Sequence, residues 1–217
     1  AGATHRLDVR LQPQAISLGE VIVSTASRTP ERVVEAPAAI AVVDPITLRD
    51  QAVTGQVPRA LHRIPGVDVV QSGINDFNVN ARGFNSSLNR RILVMQDGRD
   101  LAIAFLGSQE WNAISQPLDD ISRMEVVRGP GSALYGANAF SGVINITTPP
   151  ARDVIGTKVT LAGGELSAIR GDLRHAGVSP DGRIGYRFNF GYNRSNSWSR
   201  SRTAFDGSDA EAEYCPL

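Results

Sequence analysis

Between residues 126 and 148 the chain reads Val-Val-Arg-Gly-Pro-Gly-Ser-Ala-Leu-Tyr-Gly-Ala-Asn-Ala-Phe-Ser-Gly-Val-Ile-Asn-Ile-Thr-Thr, and no other stretch restricts the fold so tightly. Gly129, Pro130, Gly131, Gly136 and Gly142 punctuate the backbone between two runs, residues 123 to 127 and 142 to 147, that read as strands. Glycine permits positive φ and close approach, and Pro130 fixes one turn, so the connection folds tightly and presents backbone to something nearby. A phosphate-binding loop fails on chemistry. Four residues separate Gly131 from Gly136, as such a loop requires, but Ala137 and Asn138 stand where Lys and Ser or Thr would contact phosphate and metal. Taken alone, the window also fits a glycine-rich turn in an ordinary α+β domain.

Upstream, short helices alternate with short strands. Residues 38 to 43 are apolar and β-leaning; Asp44 followed by Pro45 reads as a helix start, with Ile46, Leu48 and Val53 forming a partial apolar face. A second helix is expected over residues 57 to 64, stopped by Pro65-Gly66. Strands follow at 67 to 71, 78 to 82 and 91 to 96, with Asp97-Gly98 as a tight turn. Residues 31 to 150 therefore read as an α+β domain with a small mixed sheet. After Pro150 the texture changes to strands at 158 to 162, 167 to 176 and 183 to 193, with a turn at Ser179-Pro180-Asp181-Gly182. The last strand places Ile184, Tyr186, Phe188, Phe190 and Tyr192 on one face and Arg183, Arg187, Asn189 and Asn193 on the other. A soluble sandwich gives that alternation, and so does a membrane-barrel strand of about ten residues.

Composition narrows the function. The 217 residues carry 22 basic and 22 acidic side chains, and this neutral balance argues against nucleic acid as a partner. No window approaches the about 18 apolar residues of a membrane-spanning helix. No charged-then-apolar leader stands at Ala1, so the expectation is a mature chain or a start inside a longer protein. Cys215 is the single cysteine and makes no internal disulfide. Catalytic signals are weak: His5, His62 and His175 form no metal-ligand spacing, Ser132 lacks a nucleophile elbow, and Asp119 and Asp120 are adjacent rather than opposed. No catalytic residue, metal site or cofactor is expected, and a soluble α+β enzyme is the weaker alternative.

The window resembles the end of the plug domain of TonB-dependent outer-membrane receptors. Ile121, Glu125, Val126, Val127, Arg128, Gly129, Pro130, Ser132, Leu134, Tyr135, Gly136, Ala139, Gly142, Val143, Ile144, Asn145 and Ile146 fall in step with that family's pattern, with Met124 in place of another apolar residue. Two earlier segments fit in order: Ala60-Leu61-His62-Arg63-Ile64-Pro65-Gly66-Val67, and Val79-Asn80-Ala81-Arg82-Gly83-Phe84 followed by Ile92-Leu93-Val94-Met95-Gln96-Asp97-Gly98-Arg99. The departures are Asn80-Ala81 and Met95-Gln96, where apolar residues are usual. The resemblance covers roughly residues 18 to 150.

The resemblance implies an α+β plug domain, a small mixed sheet with short helices, followed by the first antiparallel strands of a truncated transmembrane β-barrel. Residues 1 to 17, where Leu7, Val9 and Leu11 alternate with charge, resemble the end of a carboxypeptidase-regulatory-like β-sandwich. Residues 18 to 30 would hold the TonB box and linker, 31 to 150 the plug, and 151 to 217 the first strands of a barrel that needs about 22. The box is Glu20, Val21, Ile22, Val23, Ser24, Thr25 and Ala26, an acidic residue before a β-branched run, to be captured as an added strand by the TonB energy-coupling protein. Arg82 and Arg128, with Glu125, are the expected locks between plug and barrel wall. Ligand would meet Gln71, Ser72, Asn75, Asp76 and Phe77 in one loop and Phe105, Leu106, Ser108, Gln109 and Trp111 in another, although Phe105 and Trp111 packing against the plug is an equal alternative. The implied activity is energised uptake of a ferric siderophore or a vitamin such as cobalamin, in a barrel surrounded by outer-membrane lipid, with the N-terminus in the periplasm. A non-transporting, ligand-sensing or glycan-binding outer-membrane receptor is the alternative from another class.

Overall fold

The computed structural model describes residues 21–51, 56–73, 76–83, 88–111, 114, 118–164 and 167–196. The alternating segment 4 to 11, Glu20 of the expected box, Asn75 of the first loop and Cys215 lie outside the described residues.

The expected β-leaning and apolar runs form a five-stranded sheet. Its strands are β3 (Ala39–Val43), β6 (Ile92–Gln96), β7 (Arg99–Asp100), β8 (Arg123–Arg128) and β9 (Gly142–Thr147), in the order β3-β8-β9-β6-β7. All pairings are antiparallel except β6 with β9. Successive side chains in a strand point to opposite faces, and here both faces are covered. Val43, Val94, Met124, Val126, Ile144 and Ile146 face the larger core, which is closed by α1 (Pro45–Gln51), a 3-10 turn (Val57–Leu61) and the hairpin of β4 (Val67–Gln71) and β5 (Phe77–Ala81). Leu93, Met95, Val127 and Val143 face a smaller core completed by Ala26 and Ala139. This two-sided burial explains why β6 and β8 read as apolar runs rather than alternating strands.

The helix start is as expected: Asp44 Oδ1 accepts from the amides of Ile46 and Thr47, both at 2.9 Å. The second helix differs. Residues 57 to 61 form a 3-10 turn, continued by i to i+3 bonds from His62 to Arg59 and from Ile64 to Leu61. Pro58 has no N–H to give, and Pro65 stops the run before a longer helix can propagate. At Asp97-Gly98 the tight turn forms with φ of 50° and 83°. The Asp97 carboxylate fastens it to the exit of β9 by accepting from the Thr148 amide at 2.8 Å and hydroxyl at 2.7 Å.

Beyond residue 150, β10 (Gly156–Gly163), β11 (Ile169–Val178) and β12 (Gly185–Arg194) form an antiparallel three-stranded sheet in chain order. Its outward face carries Val159, Leu161, Leu173, Tyr186, Phe188 and Phe190, all exposed; Phe188 is 68% and Phe190 64% accessible. None of these strands contributes to either hydrophobic core. Their inward face is polar and lies on the N-terminal domain through charge. Arg174 Nη1 donates to the buried Asp120 carboxylate at 2.6 Å, and Arg187 donates to the Pro149 carbonyl at 2.6 Å and the Thr148 hydroxyl at 2.7 Å. Among the described residues no helix is long and apolar enough to cross a membrane.

Candidate functional site

The glycine-rich connection does bring backbone close to a neighbour, and the neighbour is the chain itself. At Gly142 a Cβ would sit 2.8 Å from the Val127 carbonyl, so β8 and β9 approach there only because the residue has no side chain. At Gly129, with φ of 135°, a Cβ would lie 3.1 Å from the Arg82 guanidinium. Arg82 leaves the β5 ladder at φ 58° and its Nη2 reaches the Arg128 carbonyl at 3.4 Å. Arg128 donates to the Pro65 carbonyl at 2.9 Å, and its buried Nε has no hydrogen-bond partner. The two arginines expected to lock a wall thus stand side by side at one end of the sheet. Among the described residues neither pairs with a carboxylate.

Glu125, grouped with those arginines from the sequence, has a different setting. It lies on β8 opposite Asn145 of β9 and is fully buried beneath residues 23 to 26. Its Oε2 accepts from the Ser24 amide at 3.1 Å, the Thr25 amide at 3.0 Å and the Thr25 hydroxyl at 2.6 Å. Its Oε1 contacts Arg123 Nη2 at 2.9 Å without hydrogen-bond geometry. Asn145 donates to Thr25 Oγ1 at 3.1 Å, and the Tyr135 hydroxyl donates to the Thr25 carbonyl at 2.8 Å.

The expected box is only partly extended. β1 (Ile22–Val23) pairs antiparallel with β2 (Glu31–Arg32), after which the chain turns, with the Arg28 amide on the Ser24 carbonyl at 2.9 Å. The Arg28 guanidinium lies 4.6 Å above the Tyr135 ring. Thr25 and Ala26 are buried within this turn, so of residues 21 to 26 only Ile22 and Val23 are strand and the following residues form a docked turn. Sequence reasoning did not single out Tyr135 and Asn145 for this role. The available signal was the pair of polar interruptions Met124-Glu125-Val126 and Ile144-Asn145-Ile146 in adjacent apolar strands.

The two expected ligand loops come together at their bases. Phe77 from the first, and Gln109 and Trp111 from the second, line a water-sized space of about 20 Å³ with Asn78, Val79 and Asn89. Phe77 and Trp111 belong to the larger core, whereas Phe105 at 85% accessibility projects outward. Ser72 Oγ donates to Asp76 at 2.5 Å, closing the first loop, and Gln71 accepts from Arg59 at 3.1 Å. Leu106 and Ser108 sit in a turn held by bonds between the backbones of Ile103 and residues 106 to 108; Ser108 is buried and Leu106 partly so. Of the aromatic side chains proposed to meet ligand, only Phe105 is presented to solvent.

A family model described as the TonB-dependent Receptor Plug Domain matches residues 32–143, about half of the chain. The chain belongs to the TonB-dependent receptor plug family. The chain is similar to the vitamin B12 transporter BtuB of Vibrio vulnificus, 33% identical over 156 residues, which are 71% of this chain and 25% of that protein. The vitamin B12 transporter BtuB of Photobacterium profundum is 37% identical over 151 residues, 68% of this chain and 24% of that protein. The chain therefore spans about a quarter of the length of these relatives. Among solved structures, the ferripyoverdine receptor of the Pseudomonas aeruginosa outer membrane superposes with a TM-score of 0.61 at 24% identity, covering 80% of this chain and 22% of that one, a likeness of fold. The matched relatives are transporters and receptors, so the soluble enzyme is set aside.

Proposed function

We propose that this chain is the plug and first barrel strands of an outer-membrane receptor that imports a scarce nutrient using force delivered by TonB. The supporting observation is the two-faced sheet β10–β12: its polar side holds the plug through Arg174 and Arg187, and its bare apolar side suits lipid. Ile22 lies beside Arg123, which pairs with Thr147 at the exit of β9, so the coupling segment and the chain's departure toward the barrel share one end of the plug. That end is assigned to the periplasm, and the loops around Phe77 and Phe105 to the ligand side. Cobalamin is the first ligand to test because the sequence relatives described above are vitamin B12 transporters; ferric siderophores are the second class.

Proline at Val21 or Val23 removes a backbone donor and fixes φ, which strand capture cannot tolerate. In the full-length receptor, expressed in cells lacking their own cobalamin receptor, V23P is expected to abolish uptake of labelled cobalamin or siderophore while surface binding is retained. Unchanged uptake overturns the coupling assignment. Binding without uptake in the unaltered receptor favours the ligand-sensing reading instead.

A further inference from the structure

We infer that Glu125 is the positioning residue of a latch that keeps the coupling segment docked and withholds it from an incoming strand. This rests on reading residues 20 to 26 as that segment. Strand addition requires an extended chain with backbone donors and acceptors free along one edge. Here the groups are already taken. The Ser24 and Thr25 amides go to Glu125, the Thr25 carbonyl to Tyr135, the Ser24 carbonyl to the Arg28 amide, and the Ile22 carbonyl to Arg123 at 2.6 Å. The turn after Val23 also has the wrong shape for pairing, so capture beyond Ile22 requires residues 24 to 26 to leave the sheet.

A buried carboxylate makes that departure sensitive to single contacts. When the segment lifts, Glu125 regains water, so the docked state is favoured only while its donors are all in place. Thr25 is central because its hydroxyl both donates to Glu125 and accepts from Asn145. The β-branched shape of threonine is shared by valine, which lacks the hydroxyl, whereas serine keeps the hydroxyl and loses a methyl group. Tyr135 holds the same residue from the other side through its hydroxyl alone.

The test uses the full-length receptor without ligand and two readouts. Amide hydrogen exchange at Ser24 and at position 25 is expected to quicken about tenfold or more in T25V, since a hydrogen bond to a charged group is lost. Y135F is expected to shift it in the same direction, and T25S to stay near the unaltered protein. Binding of the purified periplasmic domain of the coupling protein is expected to tighten in T25V in parallel. Unchanged exchange in both T25V and Y135F overturns the latch, as does T25S matching T25V, which would assign the effect to packing. Faster exchange with no binding of the coupling domain to any version supports the latch and overturns the coupling reading.

Discussion

Gly142 and Glu125 show two ways in which one residue can be indispensable to a small sheet. At Gly142 the requirement is space. The Val127 carbonyl would lie well inside van der Waals contact of any Cβ, and that carbonyl is backbone, which cannot rotate away. Gly142→Ala is therefore expected to part β8 from β9 and cost on the order of 1 to 3 kcal/mol, read as a lower urea midpoint at unchanged slope. At Glu125 the requirement is charge compensation. Removing its carboxylate would leave the Ser24 amide and the Thr25 amide and hydroxyl without their acceptor, and a hydrogen bond to a charged group is typically worth about 1.5 to 3 kcal/mol. The sequence displays the first requirement openly, as a glycine at the head of a β-branched run. It hides the second, because Thr25 is a hundred positions away from Glu125 and no local pattern couples them.

At the scale of elements, α1 depends on its first turn. The Thr47 amide, opposed by partial burial and reinforced by the Thr47 hydroxyl and Ile46 amide, holds the Asp44 carboxyl below its ordinary value of 3.8. A lowered folded pKa stabilises the native state above the unfolded value and loses that contribution as pH falls through the folded one. Asp44→Ala should thus cost about 1 kcal/mol at neutral pH. The difference from the unaltered chain should shrink as the pH drops below about 4, which melting curves at a series of pH values would reveal. This cap was legible from Asp44-Pro45, as were β4, β9 and the alternating β12, because each is decided by neighbours in sequence. The 3-10 turn at Val57–Leu61 was not, since a short apolar run between Gln56 and Pro65 suits either helix type. Nor could loop polarity separate Trp111, drawn into the core, from Phe105, left in solvent. Both are aromatic residues in one loop, and the packing that distinguishes them comes from β5 and β6.

For the molecule as a whole, the boundary near Pro150 separates a sheet covered on both faces from one left bare on its apolar face. The plug closes both faces of its own sheet, whereas β10–β12 leave one apolar face and their outer edges uncovered among the described residues. A chain ending near Pro150 is expected to stay soluble and give mixed α/β circular dichroism, while the 217-residue chain is expected to aggregate without detergent. Solubility of the longer chain as one cooperative unit would overturn the barrel reading. The strand order carries a further consequence, for the time course of folding. β10, β11 and β12 meet as neighbours in sequence and need only short loops to close. β3 must wait for β8, with every helix and hairpin of the larger core lying between them in the chain. Loop-closure entropy therefore falls on the pairing at the edge of the plug's sheet, and the last ladder to zip is the one between the edge strand β3 and β8, the strand that also carries Glu125.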